Sequence, residues 1–94
     1  MDKLNVDSEM VTLDQNFPNP FQGKTVISYS LPTEVNKAQL VIANLQGVIV
    51  KRSDLNVQKN AIEISAEDIN PGVYTYLIIY DGKRSKVKKM TFIQ

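Results

Sequence analysis

The chain of 94 residues has no cysteine, no histidine and no tryptophan. Those absences exclude disulfides, thiolate and imidazole metal ligands, and every nucleophilic dyad or triad built on a Cys or a His base. Stability must come from packing alone, in a chain near the small end of what a single hydrophobic core supports, so one domain is expected. No apolar run approaches the ~20 residues that a membrane-spanning helix needs, and the opening residues lack the basic-then-apolar order of a secretory leader. Membrane insertion is therefore not expected. Helical periodicity long enough to cover a sheet is missing as well, which turns attention to strands.

What is present suits a folded all-β domain. The apolar fraction is 43%, with four tyrosines and three phenylalanines, more than a disordered chain of this length carries. Charge is unevenly placed. Residues 1–80 hold six basic and nine acidic side chains, whereas residues 81–94 hold Lys83, Arg84, Lys86, Lys88 and Lys89 against Asp81 alone. The C-terminal segment is the basic element.

Residues 1–12 read as a flexible lead or linker, with residues 10–13 as a short edge strand in the alternative, and residues 13–94 read as the folded module. A loop follows in which Pro18 and Pro20 hold φ near about −65° and push Phe17 and Asn19 toward extended conformations. Such a loop loses less entropy on ordering, so Phe17 and Phe21 are both expected to be at least half buried, closing one end of the core.

Alternation predicts strands at residues 25–31, 37–44, 48–51, 60–64, 73–80 and 83–93. Pro32 ends the first. Asn44-Leu45-Gln46-Gly47 reads as a turn with Gly47 at positive φ. Ser65-Ala66-Glu67-Asp68 has N-cap spacing but is stopped by Asn70-Pro71-Gly72, which predicts a single helical turn with Ile69 tucked beneath it. Residues 73–80 are apolar or aromatic on both faces, the mark of a central strand. Asp81-Gly82 is a type I′ hairpin signal, and the alternation beyond it requires a switch of face or a bulge near Lys88. About seven short strands at intervals of 8 to 12 residues favour two packed antiparallel sheets, with a closed barrel as the alternative.

Catalytic chemistry finds no foothold in these residues. Glu63, Glu67, Asp68 and Asp81 lack the alternating spacing and the glycine of a calcium loop, and Gly47, Gly72 and Gly82 serve turns with no phosphate-cradling pattern. No enzyme activity, metal or cofactor is expected. The lysines of residues 83–89 suit edge protection or partner docking better than nucleic acid, and no nucleic-acid partner is expected. Tyr29, Tyr74 and Tyr76 are expected with rings in the core and hydroxyls at its margin or on a backbone carbonyl.

The ordered set Gln15-Asn16-Phe17-Pro18-Asn19-Pro20-Phe21, Thr25-Val26-Ile27-Ser28-Tyr29-Ser30-Leu31-Pro32, Gln46-Gly47 and Pro71-Gly72-Val73-Tyr74-Thr75-Tyr76, before a Gly turn and a final Lys-Lys strand, resembles the type A C-terminal sorting domain of type IX secretion cargo from Bacteroidetes. The likeness runs from about Leu13 to the last residues. It implies an immunoglobulin-like β-sandwich of seven strands that directs its cargo from the periplasm through an outer-membrane translocon to the cell surface or the medium. The partners it implies are shuttle or translocon components and a sortase-like enzyme that removes the domain and joins the cargo to an anionic lipopolysaccharide.

Carried onto this chain, the family's motifs lie on Asn16, Phe17, Pro18, Asn19, Pro20 and Phe21, on Tyr29 and Pro32 in the first strand, on Gly47, on Gly72 and Tyr74, and on Lys88 and Lys89. The resemblance implies that the last strand carries recognition, which makes Lys86, Lys88, Lys89, Phe92, Gly72 and Tyr74 the candidate recognition residues. Two positions depart from the pattern: Asn44 stands where an acid is usual, and Gln94 where a basic residue is common. The flagellar hook-cap immunoglobulin-like domain is similar more loosely, so a structural or carbohydrate-binding accessory domain is the alternative function.

Overall fold

The computed structural model describes residues 11–94. The lead expected over residues 1–12 lies outside the described residues as far as Met10, and Thr12 is already paired. Eight strands follow in order: β1 Thr12–Leu13, β2 Lys24–Ser30, β3 Ala38–Asn44, β4 Ile49–Asp54, β5 Ala61–Ser65, β6 Gly72–Tyr80, β7 Lys83–Arg84 and β8 Lys88–Phe92. They form a three-stranded sheet, β1-β2-β5, and a five-stranded sheet in which β4, β3 and β6 lie side by side and both β7 and β8 pair with the far edge of β6. Every pairing between these strands is antiparallel. The result is a sandwich of two sheets and not a closed barrel.

Period-two alternation decides what the sheets enclose. In β2 the burial pattern alternates without a fault, sending Thr25, Ile27 and Tyr29 inward and Lys24, Val26, Ser28 and Ser30 outward. Ala38, Leu40 and Ile42 of β3 and Tyr74, Tyr76, Ile78 and Tyr80 of β6 supply the facing layer. Six aliphatic side chains, Ile27, Leu40, Ile42, Ile64, Ile78 and Met90, are wholly buried between the sheets. Each stabilises the fold by roughly 1.5–3 kcal/mol relative to exposure. β6 is central, as its two apolar faces predict, and its outward Val73, Leu77 and Ile79 are themselves half covered.

Turn chemistry agrees with the residues that carry it. Gly47 has φ 86°, and the Asn44 carboxamide accepts the N–H groups of Gln46 and Val48, both at 3.0 Å. A carboxylate would do the same there, so Asn44 in place of the usual acid leaves this turn intact. Asp81 and Gly82 have φ 47° and 80°, the two positive values a type I′ hairpin needs. The Asp81 carboxylate also receives the N–H groups of Asn36 and Lys37, which ties the β2–β3 connection to this hairpin. Those two donors, with the Lys83 charge behind them, hold its pKa below the ordinary 3.8.

Three expectations need correction or refinement. Phe17 is 79% exposed, whereas Phe21 is 1% exposed. Phe17 exchanges backbone hydrogen bonds with Val26 at 2.9 and 3.0 Å. Residues directly opposite in an antiparallel pair share a face, and Val26 faces out, so Phe17 must face out too. Residues 65–68 form one hydrogen-bonded turn, Asp68 N–H to Ser65 O at 2.9 Å, and no helical turn, although Ile69 is buried beneath it.

The last strand is divided. Tyr80 pairs with Lys83 and Ile79 with Arg84, but Tyr76 pairs with Lys88, so residues 85–87 oppose only Leu77 and Ile78. This extra residue is the bulge the alternation required near Lys88. Ser85 Oγ accepts the N–H of Ile78 at 2.8 Å, satisfying a donor that the bulge would otherwise leave bare. The flip leaves Val87 exposed and puts Met90 and Phe92 in the core.

Candidate recognition surface

The Asn-Phe-Pro-Asn-Pro-Phe loop is an inserted fastening for the last strand. Asn16 and Thr25 are the two buried polar side chains among the described residues. They satisfy one another: Asn16 Nδ2 donates to Thr25 Oγ1 at 3.0 Å and to Pro18 O at 3.1 Å, while Thr25 Oγ1 donates to Pro18 O at 2.8 Å. The Tyr76 hydroxyl accepts the Asn16 N–H and donates to Asp14 O, both at 2.8 Å. Burial pushes the Tyr76 phenol from its ordinary 10 up to about 12, with the Asn16 N–H pulling it down and the Asp14 charge adding to the rise. A network with every member paired fixes the loop on β2 and β6 at once.

From that anchorage the loop runs along the outer edge of β8. Gln15 Nε2 donates to Lys89 O, and Asn19 Oδ1 accepts Thr91 N–H at 2.9 Å. Phe21 donates to Thr91 O at 3.0 Å and accepts from Ile93 N–H at 2.9 Å, and Gln22 reaches Gln94 O at 3.2 Å. The Phe21 ring stacks on Phe92 with centroids 4.9 Å apart and planes 13° from parallel. Strand β8 is therefore held by β6 on one side and by the loop on the other. From residue 89 onward the loop itself closes that edge, so edge protection by lysines concerns only the stretch before it.

The six recognition candidates separate into two groups. Phe92 and Tyr74 are buried, and Gly72 lies directly opposite Phe92 with the Tyr74 ring 3.7 Å from where a Cβ would stand. Tyr74 also donates its hydroxyl to Asn70 O, four residues upstream at the corner between the sheets. These three hold the strand. The lysines remain at the surface, on two sides of the sheet. Lys89 opposes Thr75 and faces outward, whereas Lys88 opposes Tyr76 and turns, with Lys86, toward the cleft beside β1.

Among the motif residues, Asn19, Phe21 and Asn16 meet β8 or the core, Tyr29 donates its hydroxyl to Asn56 O at 3.2 Å, and Pro32 O caps the turn to Val35. Sequence reasoning gave Gln15 and Thr25 no role of their own in the site. Thr25 occupies an inward position of a clean alternation, which is the signal that could have marked it as a buried hydroxyl in need of a partner.

The acidic residues do not converge. Glu63 pairs with Lys24 at 3.3 Å and Asp68 with Lys51 at 3.8 Å, while Asp81 stands at the far end of β6. Among the described residues no group of three His, Cys, Asp or Glu side chains is placed to hold a metal ion.

The fold is a two-sheet module whose final strand is fastened from both sides and carries Lys88 and Lys89. The chain belongs to the secretion system C-terminal sorting domain family, whose model matches residues 15–94. Its role is that of a C-terminal sorting domain for type IX secretion. No curated protein matches the chain.

Proposed function

We infer that this domain is a non-catalytic signal whose lysine-bearing last strand is read by shuttle or translocon components of the type IX apparatus. It would travel with its cargo through the periplasm to the outer-membrane surface or the medium, where a sortase-like enzyme acts on it. The observation that carries this reading is the double fastening of β8: recognition by a partner needs charges on a backbone that is already ordered, and the loop and β6 supply that order. The sandwich is taken to be immunoglobulin-like because its strand order, β1-β2-β5 facing β4-β3-β6-β8, is that of sheets A-B-E and C′-C-F-G, and because Tyr74 sits where such folds place their corner tyrosine.

The test fuses residues 11–94 to a reporter in a bacterium that has the secretion route, with the parent domain and with Lys88→Gln/Lys89→Gln. The parent should export the reporter. The double variant should lose export while its unfolding free energy stays within about 0.5 kcal/mol of the parent. Reporter held in the periplasm by the parent domain, or export untouched by the double substitution, would overturn the reading.

A further inference from the structure

Protection of the last strand is uneven. The loop closes its outer edge from residue 89 onward, but residues 84–88 have β6 on their inner side and, among the described residues, no backbone partner on the other. Facing this open stretch is the outer edge of β1, whose ladder partners are Ser30 and Tyr29 of β2. Between the two lies a cleft of about 490 Å³, where one sheet ends and the other begins.

Its chemistry is one-sided. Buried Leu13 and Tyr80 form an apolar floor, and Arg84, Lys86 and Lys88 stand along one wall. No carboxylate of the described residues lines it. Among the described residues the ion pairs are Lys24–Glu63 and Lys51–Asp68, so none of the three cations has an ion-pair partner there. Like charges gathered in a groove repel one another and draw in an anion, the more so where the walls exclude water.

We propose that this cleft docks an extended acidic segment of a partner protein, which adds to the open edge of residues 84–88 while its carboxylates meet Arg84, Lys86 and Lys88. Strand addition is favoured because the outer edge of residues 84–88 has no backbone partner among the described residues, although the Ser85 hydroxyl already donates to the Lys86 carbonyl. A helix has no free main-chain groups to give them. The inference rests on the sorting reading for the nature of the partner, and names the surface that such a partner would engage.

The probe is a fluorescein-labelled octapeptide of alternating Glu and Val, titrated against the 94-residue chain by anisotropy at low and high salt. Two comparison peptides are a Lys–Val octapeptide and an oligoglutamate of the same charge. The Glu–Val peptide should bind, more weakly as salt rises, and should slow amide exchange at residues 84–88. Arg84→Gln/Lys86→Gln/Lys88→Gln should weaken it by about tenfold or more, and Lys59→Gln should leave it unchanged.

Equal binding by the triple variant or by oligoglutamate would overturn the proposal, as would peptide binding without protection at residues 84–88. Should the triple variant fail to fold, the exchange measurement on the unaltered chain decides alone. A reporter exported by a chain that does not bind the peptide sinks the groove and leaves the sorting reading standing. Peptide bound by a chain that is never exported does the reverse.

Discussion

Replacing Phe21 and Phe17 separately by alanine divides two residues that look alike in the sequence. Phe21 is 1% exposed and its ring lies 4.9 Å from that of Phe92. Truncating a buried phenylalanine costs roughly 3–5 kcal/mol, of which the stacked geometry supplies about 0.5–1.5. A domain of this size has a stability of roughly 5–14 kcal/mol, so the loss is a large share of the whole. At about 4–8 °C per kcal/mol, Tm should fall by at least ~12 °C.

Phe17 is 79% exposed, and its part in the loop is played by its backbone. Phe17→Ala should change stability by no more than about 0.5 kcal/mol. Urea titrations at unchanged m would measure both. A Phe21→Ala/Phe92→Ala double variant should be less destabilised than the sum of the two single changes, since each ring loses the same partner. Phe17→Ala costing as much as Phe21→Ala, or Phe21→Ala costing under about 1 kcal/mol, would refute the placement of these rings.

Tyr76→Phe strands the buried Asn16 N–H and the Asp14 carbonyl, at a cost of about 1–3 kcal/mol near neutrality. Because the folded state raises the Tyr76 phenol from 10 to about 12, this contribution is complete below pH 10 and fades as pH climbs toward 12, where the unfolded chain gains the phenolate first. Urea titrations across that window should show the gap between parent and Tyr76→Phe closing. Asp81 is shifted the other way, so its contribution is present above its ordinary 3.8 and is lost as pH falls through the depressed folded value. Thermal melts should find Asp81→Asn less stable than the parent at neutral pH and level with it in strong acid.

Much of the sandwich was legible because inward and outward positions alternate plainly: residues 25–31 announced β2, and the doubly apolar run of residues 73–80 announced the central β6. Asp81-Gly82 marked its own hairpin, since few dipeptides tolerate two positive φ values. The fate of Phe17 was not legible, because it depends on which face of β2 its backbone partner Val26 occupies, and that pairing joins residues nine apart through an irregular loop. Fastening of β8 was hidden for a stronger reason. The Asn19–Thr91 contact spans 72 residues, and nothing local in either segment names the other. Lys86, Lys88 and Lys89 could be read as the charged end of the chain, but the bulge at residues 85–87 decides which side of the sheet each one serves.

The seam between the loop and β8 has a consequence for the making of the domain. Its halves sit at opposite ends of the described chain, and closing so long a loop costs more entropy than a local pairing, which slows a fold built on distant pairings. Until it closes, two aromatic rings and a bare strand margin are on offer together, and both are adhesive. Closure withdraws all of them in one step, leaving a domain that is most prone to clump while unfinished and least so once it is zipped shut.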